Sequence, residues 1–498
     1  MENSKIDDMY QAKFFARLRK DVLIDLTKHA DECNFFLKKY KRKDIERALL
    51  CPDKPQSEKI LRAVSRFLYA ISPHYRRAIS LFATLPTNNY MLRPLININD
   101  DFDIEKFKAQ YMELAFRYER YRFKNENPKI LTTCFLDGVF YGVIFENKES
   151  YILKPIPADF AIITSEEDGV FRFSFDLNYF TRSRLSYLRQ YGTDFVNAYR
   201  AYRGDEENGI KGDNTLRWFE PKNQVCVKFD EEVPYCISPF VGIFQCIIDL
   251  ETYEEIKKDK AMIDNFRLIH YQIPTDTDGV PKLTFEQAQR YYELTAANIP
   301  EGVGLAMSPF KAENFTLKNT TDDGDYVADA TKDLFANIGL NPLLFGMGDN
   351  PTSQTLELSV RSDEALVFKL LRQIANVFNV KYKKSKQKED YMIMLTFFEQ
   401  SIFNKDKVSD AYLKAAQYGC PTKLHYLASL GFNPVDILGS TKLENDIFNL
   451  TVDMCNRPLI SSNTLSGGVV ENPEGGRPTA DNPSDNTEKN ADNNGTYK

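Results

Sequence analysis

Ile247-Ile248-Asp249-Leu250-Glu251-Thr252-Tyr253-Glu254-Glu255-Ile256, continuing to Tyr271, is the stretch whose reading decides the fold. Leu250, Tyr253, Ile256, Ile263 and Phe266 recur at helical spacing, while Glu251, Glu254, Lys258 and Asn265 fall on the other side. The pattern predicts one helix of about 25 residues, roughly 37 Å long. A helix with one apolar stripe and a long charged remainder must bury that stripe against something. The segment after it is short: the turn Thr275 to Gly279, a helix opened by the capping box Thr284-x-x-Gln287, and strands near Val303–Met307 and Phe315–Leu317. A second helix, Asp325 to Ile338, can then return antiparallel to the first.

Working outward, Gly339, Pro342, Gly346 and Gly348 punctuate a polar loop that ends in Asp349-Asn350-Pro351-Thr352-Ser353-Gln354. A long helix, Thr355 to Val380, is expected after it, burying Leu358, Leu366, Leu370, Ile374 and Val377. A strand at Tyr391–Phe398 returns to the sheet, and three short helices fill Asp406 to Leu450. Upstream, the segment from Asp8 to Ser72 reads as helical until Pro86 and Pro94. A β-rich block comes next, with Ile130–Phe135 and Val139–Phe145 flanking Asp137-Gly138 as a hairpin. Strands at 151–155, 161–164 and 170–175, a helix over 182–202 and a strand at 224–229 continue it. Beyond Ser461 the chain is too poor in apolar residues to offset ordering entropy, and disorder is expected.

The composition excludes several classes. At 498 residues and a net charge of −7, with 43% apolar residues, the chain reads as globular and of about three units. No apolar run approaches the roughly 20 residues that span a bilayer, and no secretory signal is legible. Eight cysteines without a CxxC pair and four histidines give neither a disulfide framework nor a metal set. The acidic balance disfavours sequence-specific DNA binding. No phosphate-binding Gly-rich loop ending in Lys, no HExxH and no GxSxG occurs, so neither catalytic residues nor a cofactor is expected. Asp322, Asp323 and Asp325 are paired acids that could in principle hold a divalent metal, and with it support a metal-dependent nuclease. The same acids also suit a solvated helix N-terminus.

The order of elements, with Pro239 to Glu251 at the first long helix, Ile338-Gly339-Leu340-Asn341-Pro342-Leu343-Leu344-Phe345-Gly346, and Ser353 to Ser359, resembles the portal (head-to-tail connector) proteins of tailed bacteriophages. The resemblance spans roughly residues 60 to 450. It implies an α+β, portal-type fold. In that scheme 1–246 hold the N-terminal helices and an α/β wing, 247–274 the first stem helix, 275–323 a small α/β clip and 324–345 the second stem helix. The tunnel loop would be 346–355, the long helix and return strand 356–402, the helical crown 403–460, and the tail 461–498.

The resemblance further implies a homo-oligomeric ring, usually a dodecamer, at a capsid vertex, assembled in the host cytoplasm and carried in the virion. Double-stranded DNA would pass through it non-specifically. Terminase and tail adaptor proteins would dock on the clip, and the major capsid or scaffolding protein would surround the ring. On this scheme Lys258 and Glu254 of the first stem helix, with Asn350, Thr352, Ser353 and Gln354 of the loop, face the DNA channel. Lys260 and Arg267 pair between subunits with Asp329 and Asp333, whose four-residue spacing, shared with Asp325, puts like charges on one face that need an answer. Glu286, Gln289 and Arg290 on the clip helix contact terminase or adaptor. A different virion structural protein, an adaptor or capsid subunit, is the alternative.

Overall fold

The computed structural model describes residues 42–95, 102–147, 150–181, 184–204, 211–248, 250, 267–272, 284–296, 303–308, 331, 334, 337, 353–387 and 389–447. The chain divides into two compact units, 1–437 and 438–498. In the second, the described residues run to Ile447 and close with the π-turn Leu443–Ile447.

Helices α1 (Arg42–Leu50), α2 (Pro55–Ile71) and α3 (Pro73–Thr84) lead to strand β1 (Tyr90–Leu95). Helices α4 (Ile104–Tyr121) and α5 (Phe123–Asp137) come next, followed by β2 (Val139–Glu146), β3 (Tyr151–Ile156), β4 (Ala161–Glu167) and β5 (Val170–Asp176). The chain continues through α6 (Thr193–Arg203), β6 (Trp218–Phe219) and β7 (Gln224–Lys228). The insert holds β8 (Arg267–Gln272), α7 (Phe285–Ala296) and β9 (Val303–Ser308). It is followed by α8 (Ser353–Ser385), β10 (Met392–Phe397), α9 (Lys405–Gln417), α10 (Lys423–Ser429) and α11 (Pro434–Lys442). The fold is α+β, as the resemblance implies.

The strands form small sheets, ordered β3-β2-β7, β4-β5-β6, β1-β10 and β8-β9. Strand β2 lies between two cores, and its alternation decides which side chain enters which. Phe140 and Ile144 join the larger core with Val225, Val227, Phe135 and the buried face of α8. Val139, Tyr141 and Val143 join the second core, an aromatic cluster with Phe173, Phe175, Tyr191 and Phe195. Within α8, Val367, Leu370, Leu371, Ile374, Val377 and Phe378 are buried at three- and four-residue intervals. This is the single-stripe helix the periodicity anticipates, two residues longer at its start and five at its end. Leu366, expected in that stripe, is 42% exposed, because it sits one position off the face that Val367 and Leu370 define.

The hairpin around Asp137-Gly138 does not form. Residues 123–137 are the helix α5, and Gly138 is its left-handed cap, at φ 77° with its N–H donating to the Cys134 carbonyl at 2.9 Å. Ile130, Leu131, Cys134 and Phe135 are all at most 2% exposed, a helical face that also reads as a strand when taken six residues at a time. Two carboxylates meet α2 at this cap. Arg66 donates to both oxygens of Asp137 at 2.9 and 2.7 Å, and Arg62 donates to Asp159 at 3.0 Å.

Other departures have the same logic. Helix α4 occupies part of the block read as β-rich, capped by Asp103, whose carboxylate accepts from the N–H groups of Glu105 and Lys106. The helix expected over 182–202 is broken at Gly192, which has φ 91°, into a 3-10 segment Leu185–Tyr191 and α6. Among the described residues, strand β10 pairs antiparallel with β1 alone, Tyr90 opposite Phe397. The N-terminal pattern before residue 42 and the tail beyond 447 lie outside the described residues.

Candidate functional site: the insert, the long helix and its cap

In the insert, β8 and β9 pair in parallel from Arg267 opposite Val303 to Gln272 opposite Ser308. Helix α7 lies between them in sequence, so the unit is β-α-β, the connection parallel strands require. The end of the long helix read over 247–271 is therefore a strand, and Arg267, placed on a stem-helix face by the sequence, opens β8 instead. Its proposed pairing with Asp329 or Asp333 loses its helical argument. Residues 267–272 alternate no more clearly than a helix end would, and only β9, some thirty residues on, makes them a strand. Among the described residues neither outer edge of this pair has a strand partner.

Helix α7 carries the anticipated capping contact, the Thr284 N–H donating to Gln287 Oε1 at 3.3 Å. Glu286, Gln289 and Arg290 are exposed, and Gln289 donates to Glu293 at 3.0 Å. These three are brought onto one polar surface as expected, with Leu294 59% exposed among them.

The flanking segments converge. Residues 244–248 and 250 are helical, with Phe244, Ile247 and Leu250 buried in the larger core. Residues 331, 334 and 337 are helical, and Leu334 is buried in the same core. The Asn337 amide donates to Cys246 Sγ at 3.7 Å, so the roots of the two segments read as stem helices meet. Lys258, Glu254, Lys260, Asp329 and Asp333 lie outside the described residues, as do Asn350, Thr352 and the acids Asp322, Asp323 and Asp325. Ser353 and Gln354, expected in the loop, instead form the first turn of α8.

The root of α8 is tied to the cap of short helices by buried polar groups that no sequence motif announces. Glu364 accepts from the Ser401 hydroxyl, which itself accepts from the N–H groups of Phe403 and Asn404 at 3.0 and 3.1 Å. The fully buried Gln400 accepts from Asn89 at 2.8 Å and donates to the Lys405 carbonyl at 3.1 Å. Beside Glu364, burial and that neighbouring carboxylate push Asp363 up to about 7. The cap's own core is small, Phe398, Ala428 and Ile437, and Tyr418, Leu424, Leu430 and Phe432 are left exposed around it.

At the other end of α8, Glu146 closes β2 and gathers Arg117 and Tyr121 of α4 with Lys381, whose Nζ lies 2.9 Å away. Burial alone would raise this carboxyl, but Lys381, Arg117 and the Tyr121 hydroxyl outweigh it and hold it at about 2. Its folded value lies below the ordinary carboxylate value, so its contribution to stability is complete above about pH 5 and is lost as pH falls toward 2. Urea unfolding at pH 7 and pH 3 is expected to show a smaller acid loss in Glu146→Gln than in the parent. The difference should be on the order of 2 kcal/mol after allowance for solvent screening, and equal losses in both chains would contradict the assignment.

Among the described residues no group of three or more His, Cys, Asp or Glu is placed to hold a metal ion, and no helix is long and apolar enough to cross a membrane. The buried thiols Cys134, Cys226 and Cys236 are free, and burial raises each of them.

No family model and no curated protein matches the chain. Among solved structures it is similar to a chain of the virion of a native gene transfer agent particle, with 15% identity over 72% of this chain and 88% of the other and a TM-score of 0.41. A chain from the neck of an empty gene transfer agent particle computed with C6 symmetry gives 14% identity over 72% and 94%, also at a TM-score of 0.41. One from the neck of the native particle computed with C12 symmetry gives 16% identity over 71% and 91%, at a TM-score of 0.40.

Proposed function

We propose that the chain is a virion structural protein, the subunit of a portal-type ring at a capsid vertex through which DNA is packaged and ejected. The β8-α7-β9 insert carries this reading. A parallel pair is the arrangement that depends most on cover and on further strands, and here it stands between two helical segments whose roots pack together. Placed side by side in a ring, neighbouring copies supply the missing edges. The cap supports the same reading, since a second copy would cover the apolar side chains exposed around its small core. An acidic ring suits DNA that must slide rather than adhere.

In this ring the insert is the clip, and Glu286, Gln289 and Arg290 form part of the surface offered to terminase during packaging and to tail adaptors later. Lys258, Glu254, Asn350 and Thr352 are assigned to the channel, with Ser353 and Gln354 at the helix start behind them. Lys260, Asp329 and Asp333 are assigned to contacts between subunits, and scaffolding or major capsid protein surrounds the outer face.

Negative-stain electron microscopy with native mass determination tests the ring. Annular particles with a central hole and a mass near twelve protomers, or a neighbouring number, are expected. A chain that stays monomeric at every concentration, also when co-expressed with its capsid and scaffolding proteins, would overturn the proposal.

A further inference from the structure

Where the last turns of α8 meet β2, β5 and β7, a pocket of about 290 Å³ gathers basic side chains from four parts of the chain. Arg117 comes from α4, Arg172 from β5, Lys222 from the turn before β7, and Lys381 and Lys384 from α8, with Glu146 as the carboxylate in the lining. Glu146 answers Arg117 and Lys381. Outside the lining, Glu167 pairs with Arg172 at 3.1 Å and with Lys384 at 2.6 Å, and Glu220 also pairs with Arg172. Counting these partners, five lining cations are answered by three carboxylates, an excess of two positive charges on a chain whose net charge is −7. Lys222 is exposed and makes no ion pair among the described residues.

Lysines in the last turns of a helix need no ligand to explain them, because they answer the negative end of its dipole. That dipole does not account for Arg172 and Lys222, which belong to other elements and converge on the same space. We propose that this pocket binds a phosphate group. A tetrahedral, doubly charged anion matches the excess of two, and its oxygens can be met from several directions at once by guanidinium and ammonium donors. The volume lies at the small end of ligand pockets, which suits a phosphate or pyrophosphate with its waters. The phosphate belongs either to a nucleic-acid backbone or to a free phosphorylated compound. All the lining residues come from one chain, so the site does not depend on ring assembly.

Calorimetric titration of the full chain with sodium pyrophosphate at low salt tests the site. Saturable binding is expected, weakened at least about tenfold in Lys222→Glu, the scale of one lost charge-assisted contact. Lys383→Glu, on the same helix but paired with Asp168 outside the pocket, is the control and should leave binding unchanged. Absence of binding, or equal weakening in both variants, would overturn the proposal, the second outcome by reducing it to diffuse surface charge. A short DNA duplex that displaces pyrophosphate would identify the backbone as the source, and a duplex that does not would identify a free phosphate compound. Micrographs of the same sample report the ring separately, so failure of one reading is distinguishable from failure of the other.

Discussion

Gly138→Val is expected to destabilise the protein by about 3–5 kcal/mol, enough to leave much of it unfolded or insoluble. The cause is steric and local. Gly138 has φ 77°, a conformation that costs a side-chain-bearing residue about 1–2 kcal/mol. A Cβ built there lies 2.1 Å from the carbonyl oxygen of Ile237, a backbone atom that has no rotamer by which to withdraw. The segment carrying Ile237 also positions Ser238, whose hydroxyl donates to the Phe135 carbonyl at 2.7 Å, so moving it would disturb the end of α5 as well. Thermal and urea unfolding of the variant decide the point. An unfolding free energy within about 0.5 kcal/mol of the parent, the scatter of ordinary surface substitutions, would show that this close approach is absent in solution.

One residue earlier, Asp137→Ala should cost about 3 kcal/mol, at the low end for breaking a buried ion pair because Arg66 keeps a second partner. Asp137 has 8% of its side chain exposed and receives both nitrogens of the Arg66 fork. Arg66 also donates to Asp159 at 3.3 Å, which limits the loss without matching the bidentate geometry. Removing one partner leaves a desolvated charge, whereas replacing both by apolar groups of similar size removes the penalty. The double variant Arg66→Met with Asp137→Leu is therefore expected to recover most of the lost stability in urea titrations. If the double variant is as unstable as Asp137→Ala, packing rather than charge explains the loss.

These two residues also show where local reading fails. Asp-Gly is the strongest short hairpin signal in a sequence, and the same pair serves a helix that ends in a left-handed glycine. Both readings demand positive φ at the glycine, so the dipeptide cannot distinguish them. What distinguishes them is whether Ile130, Leu131, Cys134 and Phe135 find a surface for a helical stripe, and they do, against Phe82, Phe240 and the buried face of α8. The error at Arg267 has the same origin. A six-residue segment became a strand because a distant segment paired with it.

The side-chain clusters are legible in the sequence to different depths. The exposure of Glu286, Gln289 and Arg290 on α7 follows from the capping box and the helical wheel, because exposure on a short amphipathic helix is set by its period. The Glu146 cluster and the basic pocket beside it were not found, although Lys381 to Lys388 is a visible basic run. Their partners, Arg117, Arg172 and Lys222, are scattered over more than a hundred positions and share no spacing. The Gln400 network escaped for the same reason, since a glutamine shows its buried role only when Asn89 and Lys405 are beside it.

Local patterns in the chain are enough to specify the long amphipathic helix α8, the strands β2, β3, β4, β5 and β7, the helix α7 with its capping contact, and the short helices of the cap. Each rests on periodicity or capping within one continuous segment, where the free energy of choosing a conformation is set by neighbours along the chain. Tertiary structure alone decided that 123–137 is a helix and 267–272 a strand, that α2 is pinned to the end of α5 by ion pairs, and that five cations surround one pocket. Those choices are settled by burial and charge between segments far apart in the chain. A contact of that kind leaves no period in the sequence to read.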